Sequence, residues 1–162
     1  MRILLYLTAL LTLTGCYTFK GTSIPPGIRT FSVSSFGNRA PAAAPNYEQV
    51  FQEALKDKIR QESRLVYNEQ EPDIIFEGYI ADFNVTAVTP QPGETTQFSR
   101  LTVTVFIEYL DQQDEARNWN KRFSFFLDYP STANLLDIQD ALLADINVQL
   151  TEDIFNEAFT DW

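Results

Sequence analysis

The chain has 162 residues, with 12 Lys and Arg against 22 Asp and Glu, a formal net charge of −10, no histidine and one cysteine. A chain this acidic is repelled by polyanions, which argues against nucleic-acid binding, and charge alone does not hold it to an anionic lipid surface. Without histidine there is no Ser-His-Asp or Cys-His catalysis, no usual general base near neutral pH and little basis for a zinc site; a lone cysteine forms no internal disulfide.

The N-terminus reads Met1-Arg2, an apolar run from Ile3 to Leu13, and then Leu13-Thr14-Gly15-Cys16. A positive start, a short apolar stretch and small residues before a cut make a secretory signal. The run of 11 residues is too short for a bilayer span, which needs about 20. Leu13-Thr14-Gly15-Cys16 resembles the bacterial lipobox, in which the cysteine thiol is joined to diacylglycerol, the preceding bond is cut and the new amine is acylated. Sulfur is required there because a thiolate is a far better nucleophile than a hydroxyl. Residues 1–15 are therefore expected to be a cleaved lipoprotein signal peptide, with the S-diacylglycerol and N-acyl groups on Cys16 and no other cofactor. Cleavage removes one charge, that of Arg2, and takes the mature chain from −10 to −11. Cys16 lies 12 residues before Ile28, a reach of about 40 Å when fully extended, and Pro25-Pro26-Gly27 turns and stiffens the last part. Residues 16–27 are expected to form a lipidated tether and residues 28–162 one α+β domain.

Ile28–Phe36 reads as a half-buried strand, with Phe31 and Val33 alternating with polar residues. The stretch from Gly37 to Pro45 is a loop by its Gly and Pro content. Asn46 is placed to cap a helix over Tyr47–Arg64, with Gln49 as reciprocal partner; Tyr47, Val50, Phe51, Ala54, Leu55 and Ile59 fall on one face. Asn68–Pro72 breaks the chain, and three long strands follow. Ile74–Val88 carries Ile74, Phe76, Gly78 and Ile80 on one side and Ile75, Tyr79, Phe83 and Val85 on the other, with a bulge expected in its register. Pro90-Gln91-Pro92-Gly93 is a turn. Leu101–Tyr109 has the clearest period-2 pattern in the chain, Asp111–Asn118 is a polar hairpin loop, and Trp119–Tyr129 alternates again. The three strands read as an antiparallel meander. A last helix over Leu136–Phe159 carries the stripe Ile138, Leu142, Ile146, Leu150, Ile154 and Ala158, with Asp137 and Asp140 near its positive end. The order β-α-β-β-β-α predicts an α+β two-layer sandwich: a four-stranded, mostly antiparallel sheet with two helices on one face.

The other face of such a sheet should be polar, a Thr, Ser, Asn and Glu series interrupted by Phe106 and Phe126. These are either isolated exposed aromatics, which are ordinary, or a stripe for contact with a partner. The carboxylates Glu77, Asp82, Glu108 and Asp128 are spread over the strands with no motif that brings two together, and no Gly-rich phosphate loop is present. Among the basic residues, Arg39 in the first loop and Arg117, Lys121 and Arg122 around the last hairpin are candidates for binding phosphate groups of a lipid headgroup. Ordinary solubilising charge is the alternative.

Several segments together resemble the LptE family of lipopolysaccharide-assembly lipoproteins. They are Leu13–Tyr17, Ser23–Thr30 (SIPPGIRT), Asn38–Pro41 (NRAP), Glu53–Lys58 (EALKDK), Ile75–Ile80 (IFEGYI) and Asp153–Phe159 (DIFNEAF). Each is weak alone, and their order and spacing carry the likeness over nearly the whole mature chain. The resemblance implies a sandwich of strands and helices, a non-catalytic lipoprotein on the periplasmic side of the outer membrane, and a complex with LptD, the large β-barrel that delivers lipopolysaccharide to the cell surface. It further implies that the lipoprotein plugs that barrel, helps it assemble and binds lipopolysaccharide. The net negative charge is a departure that bears on direct lipid binding but not on the barrel partner.

An envelope lipoprotein that binds a soluble ligand or scaffolds another complex is the alternative from a different class, and a deep apolar pocket between sheet and helices would favour it. A carboxylate hydrolase would need two acids about 5–10 Å apart in a cleft. Replacing Cys16 with Ser is expected to abolish palmitate labelling and leave an uncleaved or soluble species; label retained in the variant places the lipid elsewhere.

Overall fold

A computed structural model describes residues 23–89 and 97–160. The signal peptide, Cys16, the first part of the tether and the Pro90–Gly93 turn lie outside the described residues. The strands are β1 (Thr30–Val33), β2 (Gly37–Asn38), β3 (Val66–Tyr67), β4 (Ile74–Val88), β5 (Phe98–Asp111) and β6 (Trp119–Pro130). Helix α1 (Tyr47–Glu62) lies between β2 and β3, and α2 (Leu135–Phe159) follows β6. Together the strands make one six-stranded sheet in the order β3-β1-β4-β5-β6, with β2 also pairing onto β4. The architecture is the expected α+β sandwich, and β4, β5 and β6 form the expected antiparallel meander.

The sheet has six strands rather than four because backbone pairing creates two short ones. Thr30 and Phe31 pair in parallel with Val66 and Tyr67, which makes β3. The predicted first strand is itself divided: β1 runs parallel to the start of β4, and the chain rejoins β4 further along as β2. Between them Ser34–Phe36 slips out of register, which turns Phe36 into the core. The Phe36 ring packs over Gly78, where a Cβ would come within 3.1 Å of it.

β5 buries every second residue from Leu101 to Asp111, the physical result of a pleated strand with one covered face. On β4 the register shifts between Ile80 and Asp82. The extra residue, Ala81, reverses the alternation. Phe83, expected beside Tyr79 and Ile75, is instead buried opposite Val103 on the core side. Val85 follows it to that side, opposite Leu101, but lies near the far end of the strand and stays exposed.

Helix α1 buries Tyr47, Phe51, Leu55 and Ile59 at i, i+4 spacing, whereas Val50, expected on that face, is 55% exposed. Asn46 does not cap through its side chain. It sits at φ 60°, a left-handed conformation that Asn tolerates better than most residues, and its carbonyl accepts from the N–H groups of Gln49 and Val50. The helix stops at Glu62, before the predicted Arg64, because Ser63 is extended. Helix α2 begins at a true cap: the Asn134 side chain accepts from the Leu136 N–H, and Asp137 stands in the first turn as expected. Its expected stripe holds at Ile146, Leu150 and Ile154, but Leu143, Asn147, Thr151, Phe155 and Phe159 are also buried, while Ile138, Leu142 and Ala158 are half-buried. The buried band is wider than one stripe because α2 packs against both the sheet and α1. Two polar links tie the helices: the Tyr47 hydroxyl donates to Asn147 over 2.7 Å, and the Lys58 ammonium lies between Glu62 and Glu152.

Between sheet and helices, Phe31, Phe51, Leu55, Phe76, Val105, Ile107 and Leu150 are fully buried, and a cleft of about 370 Å³ opens beside Tyr109, Trp119 and Phe159 at the end of α2. Residues 23–27 of the expected tether already lie against this body. The Ser23 N–H donates to the Phe159 carbonyl over 2.7 Å, the Arg64 guanidinium binds the carbonyls of Ile24 and Pro25, and the Gln113 amide bridges the Gly27 carbonyl and Asp73. Among the described residues, no helix is long and apolar enough to cross a membrane. Leu150→Ala should lower stability by about 2–5 kcal/mol through lost burial and the cavity left behind. Leu136→Ala, at a position 79% exposed, should leave the melting temperature nearly unchanged; equal shifts from both would mean that the buried face of α2 is misassigned.

Candidate functional site: the uncovered face of the sheet

The face of the meander away from the helices carries the even-numbered residues of β5 and β6, the odd-numbered residues of β4 before the bulge and the even-numbered ones after it. Register sets these side chains in rungs across the strands. Glu77 faces Glu108, which faces Asn120. The next rungs are Tyr79–Phe106–Arg122, Asp82–Thr104–Ser124, Asn84–Thr102–Phe126 and Thr86–Arg100–Asp128. The polar outer face expected from the sequence is therefore present, and its cross-strand contacts stiffen it.

Phe106 and Phe126 lie in different rungs, on either side of the Thr104–Ser124 pair, whose hydroxyls are 3.0 Å apart. Phe106 stacks on Tyr79, with ring centres 5.0 Å apart and 22° between the planes. Arg39 covers the other rung partner, its guanidinium 3.7 Å from the centre of the Tyr79 ring. Arg100 lies 3.6 Å from the centre of the Phe126 ring while making a bidentate pair with Asp128 at 2.7 and 2.9 Å. That hydrogen bond from Arg100 holds the Asp128 carboxyl below the usual carboxylate range.

The four predicted phosphate-contact residues are not brought together. Arg117 is an internal fastener of the hairpin: it hydrogen-bonds Asp114 over 3.1 Å and lies 3.3 Å from Asp111. The Asp111 side chain is fully buried, and its other oxygen accepts from the N–H groups of Gln113 and Asp114. Burial, with the nearby Asp111 charge, pushes the Tyr109 hydroxyl up to about 12, so this tyrosine stays protonated. Lys121 pairs with Glu157 of α2 at 2.6 Å. Arg39 and Arg122, by contrast, flank the Tyr79–Phe106 stack and make no ion pair with a carboxylate among the described residues.

Two carboxylates do meet. Glu77 and Glu108 stand directly opposite each other, a placement that costs stability for like charges, and only Glu77 has a polar partner, the Ser34 hydroxyl at 3.3 Å. Ser34, Ser35, Arg39, Tyr79 and Phe106 complete a shallow depression around the pair. An acid–base pair of the glycosidase kind sits in an apolar enclosure; this depression is open to solvent and lined largely by polar side chains. Among the described residues, no group of three or more His, Cys, Asp or Glu is placed to hold a metal ion. Sequence reasoning missed Tyr79, Arg100 and the Glu77–Glu108 pair as members of the face. The Arg100–Asp128 pairing follows from the register that sets Tyr109 opposite Trp119; counting outward from the Asp111–Asn118 loop would have set Arg100 opposite Tyr129, one residue off.

No curated protein matches the sequence closely enough to be counted a relative. Solved structures share the fold. The PelC dodecamer from Paraburkholderia phytofirmans is 14% identical, with 86% of this chain and 95% of that chain covered at a TM-score of 0.53. An uncharacterized lipoprotein B from Nitrosomonas europaea is 13% identical, with 83% of each chain covered and a TM-score of 0.53. The hypothetical protein CT253 from Chlamydia trachomatis is 9% identical, with 81% of this chain and 98% of that chain covered and a TM-score of 0.52. The profile of one family, LptE, described as lipopolysaccharide-assembly, matches residues 28–158, from two residues before β1 almost to the end of α2. By that match, which takes in every strand and nearly all of both helices, the chain belongs to the LptE family.

Proposed function

We propose that this chain is a non-catalytic outer-membrane lipoprotein, anchored through Cys16 on the periplasmic side, that assembles with an LptD-type β-barrel and plugs it during lipopolysaccharide transport. The observation that carries the reading is the family match over residues 28–158. The geometry supplies a physical reason for it. Large barrels enclose a polar, wet lumen, and a body that enters one needs a polar wall that keeps its shape. The uncovered sheet face suits that need, since it is polar and two of its rungs are tied across strands, by the Arg100–Asp128 pair and the Thr104–Ser124 hydroxyls.

The anchor is expected to be short. With Ser23 fastened to the end of α2, six residues separate Cys16 from the folded body, a reach of about 25 Å over the seven steps. Such a body stays within one diameter of the bilayer in which its barrel sits. For direct contact with lipopolysaccharide, Arg39 and Arg122 are the proposed phosphate-binding residues, because Arg117 and Lys121 are already engaged by carboxylates.

Affinity purification of the tagged, full-length protein from gently solubilised membranes should recover a barrel in comparable amount, and loss of the gene should deplete lipopolysaccharide from the cell surface. Recovery as a lone monomer with surface lipopolysaccharide unchanged would overturn the reading. For the lipid contacts, Arg39→Ala and Arg122→Ala should each weaken lipopolysaccharide binding roughly tenfold, about 1.4 kcal/mol, and Lys121→Ala much less. A larger effect from Lys121 would reverse that assignment.

A further inference from the structure

The helix layer, on the side away from the uncovered sheet face, carries a groove of about 450 Å³ between α1 and α2. Val50 and Ala54 form one wall, and Ala144 and Val148 form the other. The two valines are 55% and 67% exposed. Valine at an exposed helix position serves the helix less well than Ala, Glu or Lys, so helix formation does not account for either. At the base of the groove, Asn147 accepts from the Tyr47 hydroxyl, and the Thr151 hydroxyl donates to the Asn147 carbonyl. Leu136, 79% exposed, lies on the same i, i+4 row of α2 as Ala144 and Val148 and lengthens the apolar strip.

The rim carries mostly one sign of charge. Asp137, Asp140, Asp145, Glu152, Asp153 and Glu157 are the only charged residues of α2. Lys58 and Lys121 engage Glu152 and Glu157, and the Gln149 amide donates to Asp153. Asp137, Asp140 and Asp145 make no ion pair among the described residues. The positive end of the helix favours the first two, but Asp145 lies too far along for that effect. On α1, Asp57 faces only Arg60 at 3.6 Å, and Lys58, the one base on the groove wall, is held between Glu62 and Glu152.

We infer that this groove docks a basic amphipathic helix of a partner protein. Its apolar side seats between Val50 and Val148, and its Lys or Arg side chains meet Asp57 on α1 and Asp140 and Asp145 on α2. Recognition of a helix in a groove rests on an apolar floor for anchors at i, i+4 spacing, and a rim of opposite charge sets which helix is accepted. The charge selects the occupant. A second copy would bring the same acidic α2 against this one, and an anionic lipid surface would be repelled as well. The groove lies on the layer opposite the wall proposed for the barrel, so this docking goes beyond the barrel-plug role and does not depend on it.

The test uses the full-length protein in phosphatidylcholine nanodiscs, with empty nanodiscs as the blank. The probe is a synthetic helical peptide of about five turns, Leu on one face and Lys on the other, followed by fluorescence anisotropy. It should bind, and the same peptide with Glu in place of Lys should not. Val148→Asp adds an acid at an exposed position yet should weaken binding roughly tenfold, because an apolar anchor site is lost. Asp145→Asn should weaken it about threefold, and Thr104→Asp, the same added charge on the other face, should leave it unchanged. Undiminished binding to Val148→Asp would reduce the attraction to net charge and overturn the inference. So would binding of the Glu peptide, no binding above the blank, or a dimer of the chain that Val148→Asp dissociates, which would put a second copy in the groove.

Discussion

The structure depends on the register of one antiparallel meander. Because side chains alternate strictly along a strand, the pairing of β4 with β5 and of β5 with β6 decides at once which residues enter the core and which form the outer wall. The bulge at Ala81 is part of that decision: without it Phe83 would point outward, and Asp82 would face the helices with no basic partner. One extra residue keeps an aromatic inside and a carboxylate outside at the same place on the sheet.

From this division follows a molecule with two different faces. On the helix side, aromatic and aliphatic side chains fill the interior, and the Tyr47–Asn147 bond and the Lys58 bridge fix how α1 and α2 sit on the sheet. On the other side, arginines stack on aromatic rings, hydroxyls pair across strands, and the Glu77–Glu108 repulsion is tolerated because solvent screens it. Buried side chains close the centre of the sandwich, and a cleft of about 370 Å³ lined by Ile28, Tyr109, Trp119 and Phe159 opens between the sheet and the end of α2. That asymmetry directs attention to surfaces.

Much of this was legible in the sequence, where periodicity carries the information. The alternation of Leu101 through Tyr109 and the stripe Ile146, Leu150, Ile154 gave strands, helix and layer arrangement directly. What escaped had non-local causes. β2 and β3 are two residues each and exist only because distant strands accept their backbones. A bulge was foreseen in β4, but its position, and with it the side taken by Phe83, depends on β5. Asn46 has the composition of a cap and a backbone conformation that rules one out. The fates of the arginines and lysines were likewise hidden, since the partner of Lys121 is Glu157, 36 residues away, and Arg39 is placed by the pairing of Asn38 with Ile80.

The central claim, that the uncovered sheet face is the wall presented to a barrel, is tested most directly by photo-crosslinking in intact outer membranes. A photoreactive residue at Thr104, in the middle of that face, should link to a large β-barrel protein, whereas one at Val148, exposed on the helix layer, should link to it weakly or not at all. Cross-links from Val148 with none from Thr104 would contradict the account.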